Sequence, residues 1–165
     1  MKDLIVNIYL HSDYNKKFNS YSYAYTISDL EDNLVSEGVG SGSDPNYAQY
    51  KEVTGYIMAF IDAVKDAFKR GYKYLYIHTK YNGLEVWARS KAKSRIPMIN
   101  WYKYFYKQCI DKGLNIIFEI PEPLKRGEVE VLPENMELAI ENSELAMEEE
   151  IYRSEEDEED DYQDG

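Results

Sequence analysis

The chain reads as an α/β protein built on a five-stranded mixed sheet, and three features of the sequence predict this. Three consecutive N-terminal segments alternate apolar and polar residues with period two. A long segment of helical periodicity then leads into a fourth strand. A short apolar run after further helix supplies a fifth. The predicted order is β-β-β-α-β-α-α-β, followed by an acidic C-terminal helix and tail.

Leu4–Leu10 alternates around Ile5/Val6, Ile8 and Leu10, and Asp13–Lys17 supplies turn residues. Ser20–Ser28 (SYSYAYTIS) predicts a second strand. After the turn residues Asp29–Asn33, Asn33–Val39 predicts a third, which makes an antiparallel meander. Gly40–Pro45 (GSGSDP) reads as a loop. Asn46–Arg70 predicts a helix with Tyr50, Val53, Ile57, Phe60, Ile61, Val64 and Phe68 on one face, ended by Gly71. Tyr72–His78 follows a helix of crossover length and is expected parallel to the first strand. Asn82–Ala92 reads as a short helix and Ile96-Pro97 as a break. Met98–Lys112 reads as a helix ended by Gly113, and Leu114–Ile120 as a buried last strand.

With 165 residues the chain is long enough for one domain with a real core. Its net charge of −12 is unevenly spread. Residues 1–120 hold 16 Lys/Arg and 13 Asp/Glu, whereas residues 121–165 hold 3 and 18. Within the body, residues 65–112 carry 12 basic and 3 acidic side chains. This predicts a basic surface for an anionic partner, beside a tail able to compete for it. Cys109 is alone, which excludes an intrachain disulfide and fits a reducing compartment. No apolar run approaches the ~20 residues that span a bilayer, and the start MKDLIVNIYL alternates like a strand rather than a signal peptide. These features predict a cytoplasmic protein with no membrane partner, in the host cytoplasm if viral. The 17 tyrosines read plainly as strand-forming residues and, more sharply, as a stacking surface.

Residues 121–132 form a Pro- and charge-rich linker. Residues 133–153 predict an acidic amphipathic helix containing two seven-residue repeats. Met136, Ile140, Met147 and Ile151 form one stripe, with Leu138, Leu145 and Tyr152 beside it. The stripe either docks on the body or binds a partner. Residues 154–165, a block of like charge, are expected to be disordered.

Four segments together carry a resemblance: YLHSDYN (9–15), VTGYIMAFIDAV (53–64), YIHTKYNGLEVWA (76–88) and NWYKYFYKQC (100–109). In this order and spacing, residues 4–120 resemble ribonuclease H, most closely the branch with a Tyr-x-Gly turn after strand four. The resemblance implies a ribonuclease H-like fold. It also implies cleavage of the RNA strand of RNA/DNA hybrids by two divalent metals held among carboxylates. In this resemblance the first-strand aspartate falls on His11, the helix glutamate on Tyr56, and the fourth-strand aspartate on Lys80. The last acidic position has only Glu128 as a loose candidate. A lysine and two uncharged ligand positions disfavour hard dications. The expectation is therefore a pseudoenzyme with no cofactor and no metal. A shifted site on Asp13, Glu52 and Asp62 is the conceivable rescue. His11 and His78 read either as a transition-metal pair or as polar groups at strand ends. GSGSDP lacks the Lys-Ser/Thr of a P-loop.

Three functions are weighed. The first is an inactive interaction protein that inhibits or regulates a nucleic-acid enzyme, as some small phage or viral proteins do. Its acidic arm would mimic nucleic acid, and Met136, Ile140, Met147 and Ile151 would meet the partner. The second is a non-cleaving binder of RNA/DNA or RNA, using Lys80, Tyr81, Arg89, Lys91, Lys93 and Arg95 and regulated by the tail. The third is a residual nuclease.

Overall fold

The computed structural model describes residues 4–163, with side chains as far as Glu156. The elements are β1 (Ile5–Asn15), β2 (Ser20–Ser28), β3 (Leu34–Gly42), α1 (Pro45–Ala48), α2 (Glu52–Lys69), β4 (Tyr74–His78), α3 (Gly83–Arg89), α4 (Pro97–Asp111), β5 (Asn115–Glu119) and α5 (Glu134–Gln163). One five-stranded sheet has the order β3-β2-β1-β4-β5. The first three strands are antiparallel, and β4 and β5 run parallel to β1.

Each face of the sheet carries its own helical layer. Val6, Ile8 and Leu10 of β1 and Leu75 and Ile77 of β4 point to α2, where Ile57, Phe60 and Val64 close the core. α4 completes this layer. Phe60 meets the Tyr102 ring edge-on at 5.2 Å and stacks on Phe118 at 6.1 Å. The fully buried Tyr102 donates its hydroxyl to the Leu84 carbonyl at 2.7 Å.

β2 is buried along its whole length apart from Tyr23. On the α2 side Tyr23 donates to Asp62 (3.0 Å) and Tyr25 to Asp66 (2.9 Å). On the other side stand Ser20, Ser22, Ala24, Thr26 and Ser28, small residues that admit a helix closely. α5 lies there and brings Asn135, Ala139, Ser143 and Ala146 inward. Ser22 and Ser143 share a hydrogen bond at 3.0 Å, and Thr26 donates to the Asn135 carbonyl at 2.7 Å. Buried Glu150 accepts from Ser41 at 3.0 Å and from Ser43.

Several expectations are corrected. β1 continues through the expected turn to Asn15, because Ser12 and Asp13 find polar partners on α2 and α5. β3 runs on into the glycine-rich loop. Gly38, Gly40 and Gly42 sit opposite Tyr25, Tyr23 and Tyr21, whose rings lie across them. A Cβ would come within 2.4, 2.3 and 2.5 Å of those rings. The glycines are therefore strand residues making room for aromatics.

The single helix expected over 46–70 is two. Lys51 adopts φ 59, ψ −134 between α1 and α2, and the Thr54 hydroxyl donates to the Tyr47 carbonyl at 2.5 Å, folding α1 back on α2. The disorder expected over 154–165 gives way to helix as far as Gln163, and the last two residues lie outside the described ones. Glutamate is a good helix former, and Arg153 lies 4.0 Å from Glu149 and 3.9 Å from Glu150.

α2 approaches the sheet most closely at Gly55, where an added Cβ would lie 1.9 Å from Ser12 Oγ and 2.8 Å from the Ser22 carbonyl oxygen. The hydroxyl can rotate away but the strand backbone cannot. Gly55→Ala is expected to lower stability by about 1–3 kcal/mol in urea denaturation, the usual cost of overpacking. A change within about 0.5 kcal/mol, the range of a neutral surface substitution, would show that the approach is not tight.

Candidate nucleic-acid interface

Parallel pairing of β1 with β4 (Tyr9 beside His78) brings the C-terminal ends of both strands to one edge, where the start of α2 meets them. Ser12 donates to the Glu52 carbonyl at 2.8 Å, anchoring α2 there. The Tyr81 amide donates to Thr79 Oγ1 at 3.1 Å, which shapes the turn after β4. The Tyr81 ring then stacks on Tyr56 at 5.0 Å and meets Trp87 edge-on at 5.8 Å. Trp87 continues to Tyr102 at 6.3 Å, so it packs inward. Tyr56 and Tyr81 thus belong to a rigid aromatic run that ends in the core.

His11 Nε2 lies 3.1 Å from one oxygen of Asp13, and Ser143 donates to the other at 2.8 Å. Burial pushes the Asp13 carboxyl up, but the hydrogen bond and charge of His11 and the Ser143 hydroxyl together hold it below its ordinary value. Burial, then the charges of Asp13 and Glu52, push the Tyr56 hydroxyl up to about 12. His78 stacks on Tyr9 at 4.5 Å and bonds Asn7 Oδ1 at 2.8 Å. Its burial lowers the imidazole below its usual range, against Glu119 and Asp32. Tyr9, His78 and Lys80 line a groove of about 610 Å³, closed by the segment 119–124 and by Glu130–Pro133. Lys80 itself pairs with Glu130 of that connector.

Among the described residues, no group of three or more His, Cys, Asp or Glu side chains is placed to hold a metal ion. Asp13 is held by His11 and Ser143 on the α5 side of the sheet, and Asp62 lies nearly two turns along α2 from Tyr56, bound by Tyr23. His11 and His78 engage separate partners, Asp13 and Asn7, rather than converging. Glu128 is exposed in the connector, where it accepts from the Lys125 amide at 3.2 Å.

Of the basic set, Arg89 pairs with Glu85 at 3.1 Å. Lys91, Lys93 and Arg95 are exposed on the loop between α3 and α4, and among the described residues none of them forms an ion pair. The loop is clamped. Asn100 accepts from the Ser94 amide at 2.9 Å and donates to its carbonyl at 2.7 Å, and Lys103 reaches the Ala92 carbonyl. Glu130 and Asn100 are the residues that sequence reasoning missed. Only the acidic–apolar alternation of EVEV hinted at the first, and nothing local hinted at the second.

The stripe expected to meet a partner is largely used within the chain. Met136 and Met147 are buried as α5 docks on the sheet, and Ile140 and Ile151 are half-buried. α5 occupies the face opposite α2, so it does not fold back over the basic loop as the tail-regulation reading required. No helix among the described residues is long and apolar enough to cross a membrane.

The architecture is ribonuclease H-like. No protein-family profile matches the chain, and no curated protein sequence does. Solved structures do. The RNase H1 of the halophilic archaeon Halobacterium salinarum NRC-1 aligns with a TM-score of 0.64 at 11% identity, over 88% of this chain and 98% of that one. The N-terminal RNase H domain of rv2228c from Mycobacterium tuberculosis aligns with a TM-score of 0.67 at 13% identity, over 92% and 99%. LC11-RNase H1 in complex with an RNA/DNA hybrid aligns with a TM-score of 0.61 at 14% identity, over 87% and 97%. These likenesses establish the fold. They also overturn the expectation that the chain is no enzyme: every one of these matches is an RNase H protein, and substituted positions alone do not outweigh that.

Asp13 ties β1 to α5 with a folded-state affinity for protons below that of the unfolded chain. Its stabilisation is therefore complete above the unfolded value, about 3.9, and is lost as pH falls through the lower folded one. In thermal melts between about pH 5 and pH 2, Asp13→Asn is expected to flatten the acid loss of stability relative to wild type. Parallel curves would show that the carboxylate does not hold this junction.

Proposed function

We propose that the chain acts on nucleic acid, holding the backbone of an RNA/DNA hybrid or of RNA along the edge formed by Lys80, Tyr81, Arg89, Lys91, Lys93 and Arg95. The observation that carries this reading is the clamped α3–α4 loop, which presents three exposed cations on a fixed backbone. Cations so placed meet phosphates at little further entropic cost, and such contacts bind without reading sequence. The charge distribution supports it as well. The basic segment 65–112 lies in and around the α2/α4 layer, and acidic α5 lies on the opposite side of the sheet. An approaching polyanion is steered to the basic side. Lys80 takes part once Glu130 yields it, so the connector tunes the end of the site nearest the groove.

The likeness to LC11-RNase H1, solved with an RNA/DNA hybrid, favours hybrid as the first substrate to test. Hybrid, duplex and single-stranded RNA are titrated at several salt concentrations, and strand integrity is followed in the same tubes with Mg²⁺ or Mn²⁺. Hybrid binding is expected to weaken steeply with salt. Replacing Lys91, Lys93 and Arg95 together by Ala should reduce the log–log salt slope by about 0.9 for each phosphate left without its cation, and affinity by about 10- to 100-fold. Absence of salt-dependent binding to any of the three nucleic acids would refute the proposal.

A further inference from the structure

A second hollow, of about 410 Å³, opens between α1 and the start of α4. Its walls are Tyr47, Tyr50, Met58, Pro97 and Trp101. Tyr47 and Trp101 are 43% and 45% exposed, and no interaction described so far employs their rings. Trp101 is also the ridge between this hollow and another, of about 320 Å³, against the flank of α2. At the rim stand two side-chain amides, Asn46 and Gln49. Gln49 is steadied by donating to the Asn46 carbonyl at 3.0 Å.

The hollow adjoins the cationic loop. Arg95 lies two residues before Pro97, and the Ser94–Asn100 pair of hydrogen bonds fastens the loop to the first turn of α4, the turn that carries the hollow. The site thus combines flat aromatic faces, amides able to pair with the edge of a heterocycle, and neighbouring cations. A purely apolar partner would leave the amides and cations unused, and a folded acidic protein would not need a recess of this size. An unpaired nucleobase with its phosphate uses all three.

We propose that this hollow binds an unpaired base from a single-stranded extension of a nucleic acid whose paired part lies on the α3–α4 loop. The inference rests on the nucleic-acid reading above. Stacking on an aromatic wall accepts any base, so the extension is recognised as single-stranded rather than by sequence.

The test compares a blunt hybrid with the same hybrid carrying a short extension, of RNA in one arm and DNA in the other. The extension is expected to tighten wild-type binding by about tenfold or more, the scale of one stacked base. Trp101→Ala and Tyr47→Ala, both surface changes, should each remove most of that gain, with blunt-hybrid affinity as the reference. In a Trp87→Phe background Trp101 is the sole tryptophan, and its fluorescence should be quenched by the extended hybrid and not by the blunt one. The arm showing the larger gain identifies the strand taken.

Equal wild-type affinity for blunt and extended hybrids overturns the inference while leaving the loop reading standing. So does a gain that survives both alanine variants. Failure of blunt and extended hybrids alike to bind overturns this inference, and the loop reading falls with it when duplex and single-stranded RNA also fail to bind.

Discussion

The structure depends on β2 being sealed from both sides. A strand in the middle of an antiparallel meander usually shows one face to water. Here one face is covered by α2 and the other by α5, and the two coverings use opposite chemistry. Towards α2, Tyr21, Tyr23 and Tyr25 lie across the β3 glycines, and the last two reach Asp62 and Asp66. Asp66 also accepts from Ser36 at 2.6 Å and Arg70 at 2.7 Å, so one carboxylate joins β2, β3 and α2. Towards α5 the strand offers hydroxyls and a methyl group. The helix meets them with Ala139, Ser143 and Ala146 and with hydrogen bonds at Ser143 and the Asn135 carbonyl, and Met136 and Met147 are buried beside them.

That arrangement positions the candidate interface. Seating α5 on β2 places Ser143 against Asp13, and seating α2 through Gly55 places Tyr56 against Tyr81. The edge that carries Lys80 is therefore held by helices from both layers. The basic loop sits further out on its own clamp, which holds its backbone while the cations remain exposed. The polarity of the molecule follows from the same plan, with acidic α5 on one side of the sheet and the lysine-rich layer on the other.

Element order and strand direction were legible in the sequence because periodicity reports which face of an element is buried. SYSYAYTIS alternates so cleanly that β2 could hardly be anything else. The β3 glycines misled because glycine signals a turn unless a facing ring explains it, and that ring lies on another strand. The docking of α5 was harder still. Its buried residues are Asn135, Ala139, Ser143, Ala146 and Glu150, together with two methionines, and hydropathy does not distinguish such a face from a solvated one. At the interface the charges of Lys91, Lys93 and Arg95 were visible at once. Their presentation was not, because it depends on Asn100, and the engagement of Lys80 depends on Glu130, fifty residues away.

The central claim, that β2 is held from both faces and that α5 is part of the domain, is tested most directly by amide hydrogen exchange on the intact chain and on Ala139→Glu. Ala139 is fully buried against the sheet, so the variant forces a charge into the α5 contact. The account predicts that β2 amides are among the slowest to exchange in the wild type, and that the substitution lowers protection of α5 and β2 together. Loss of protection confined to α5, with β2 exchanging as slowly as before, would contradict it.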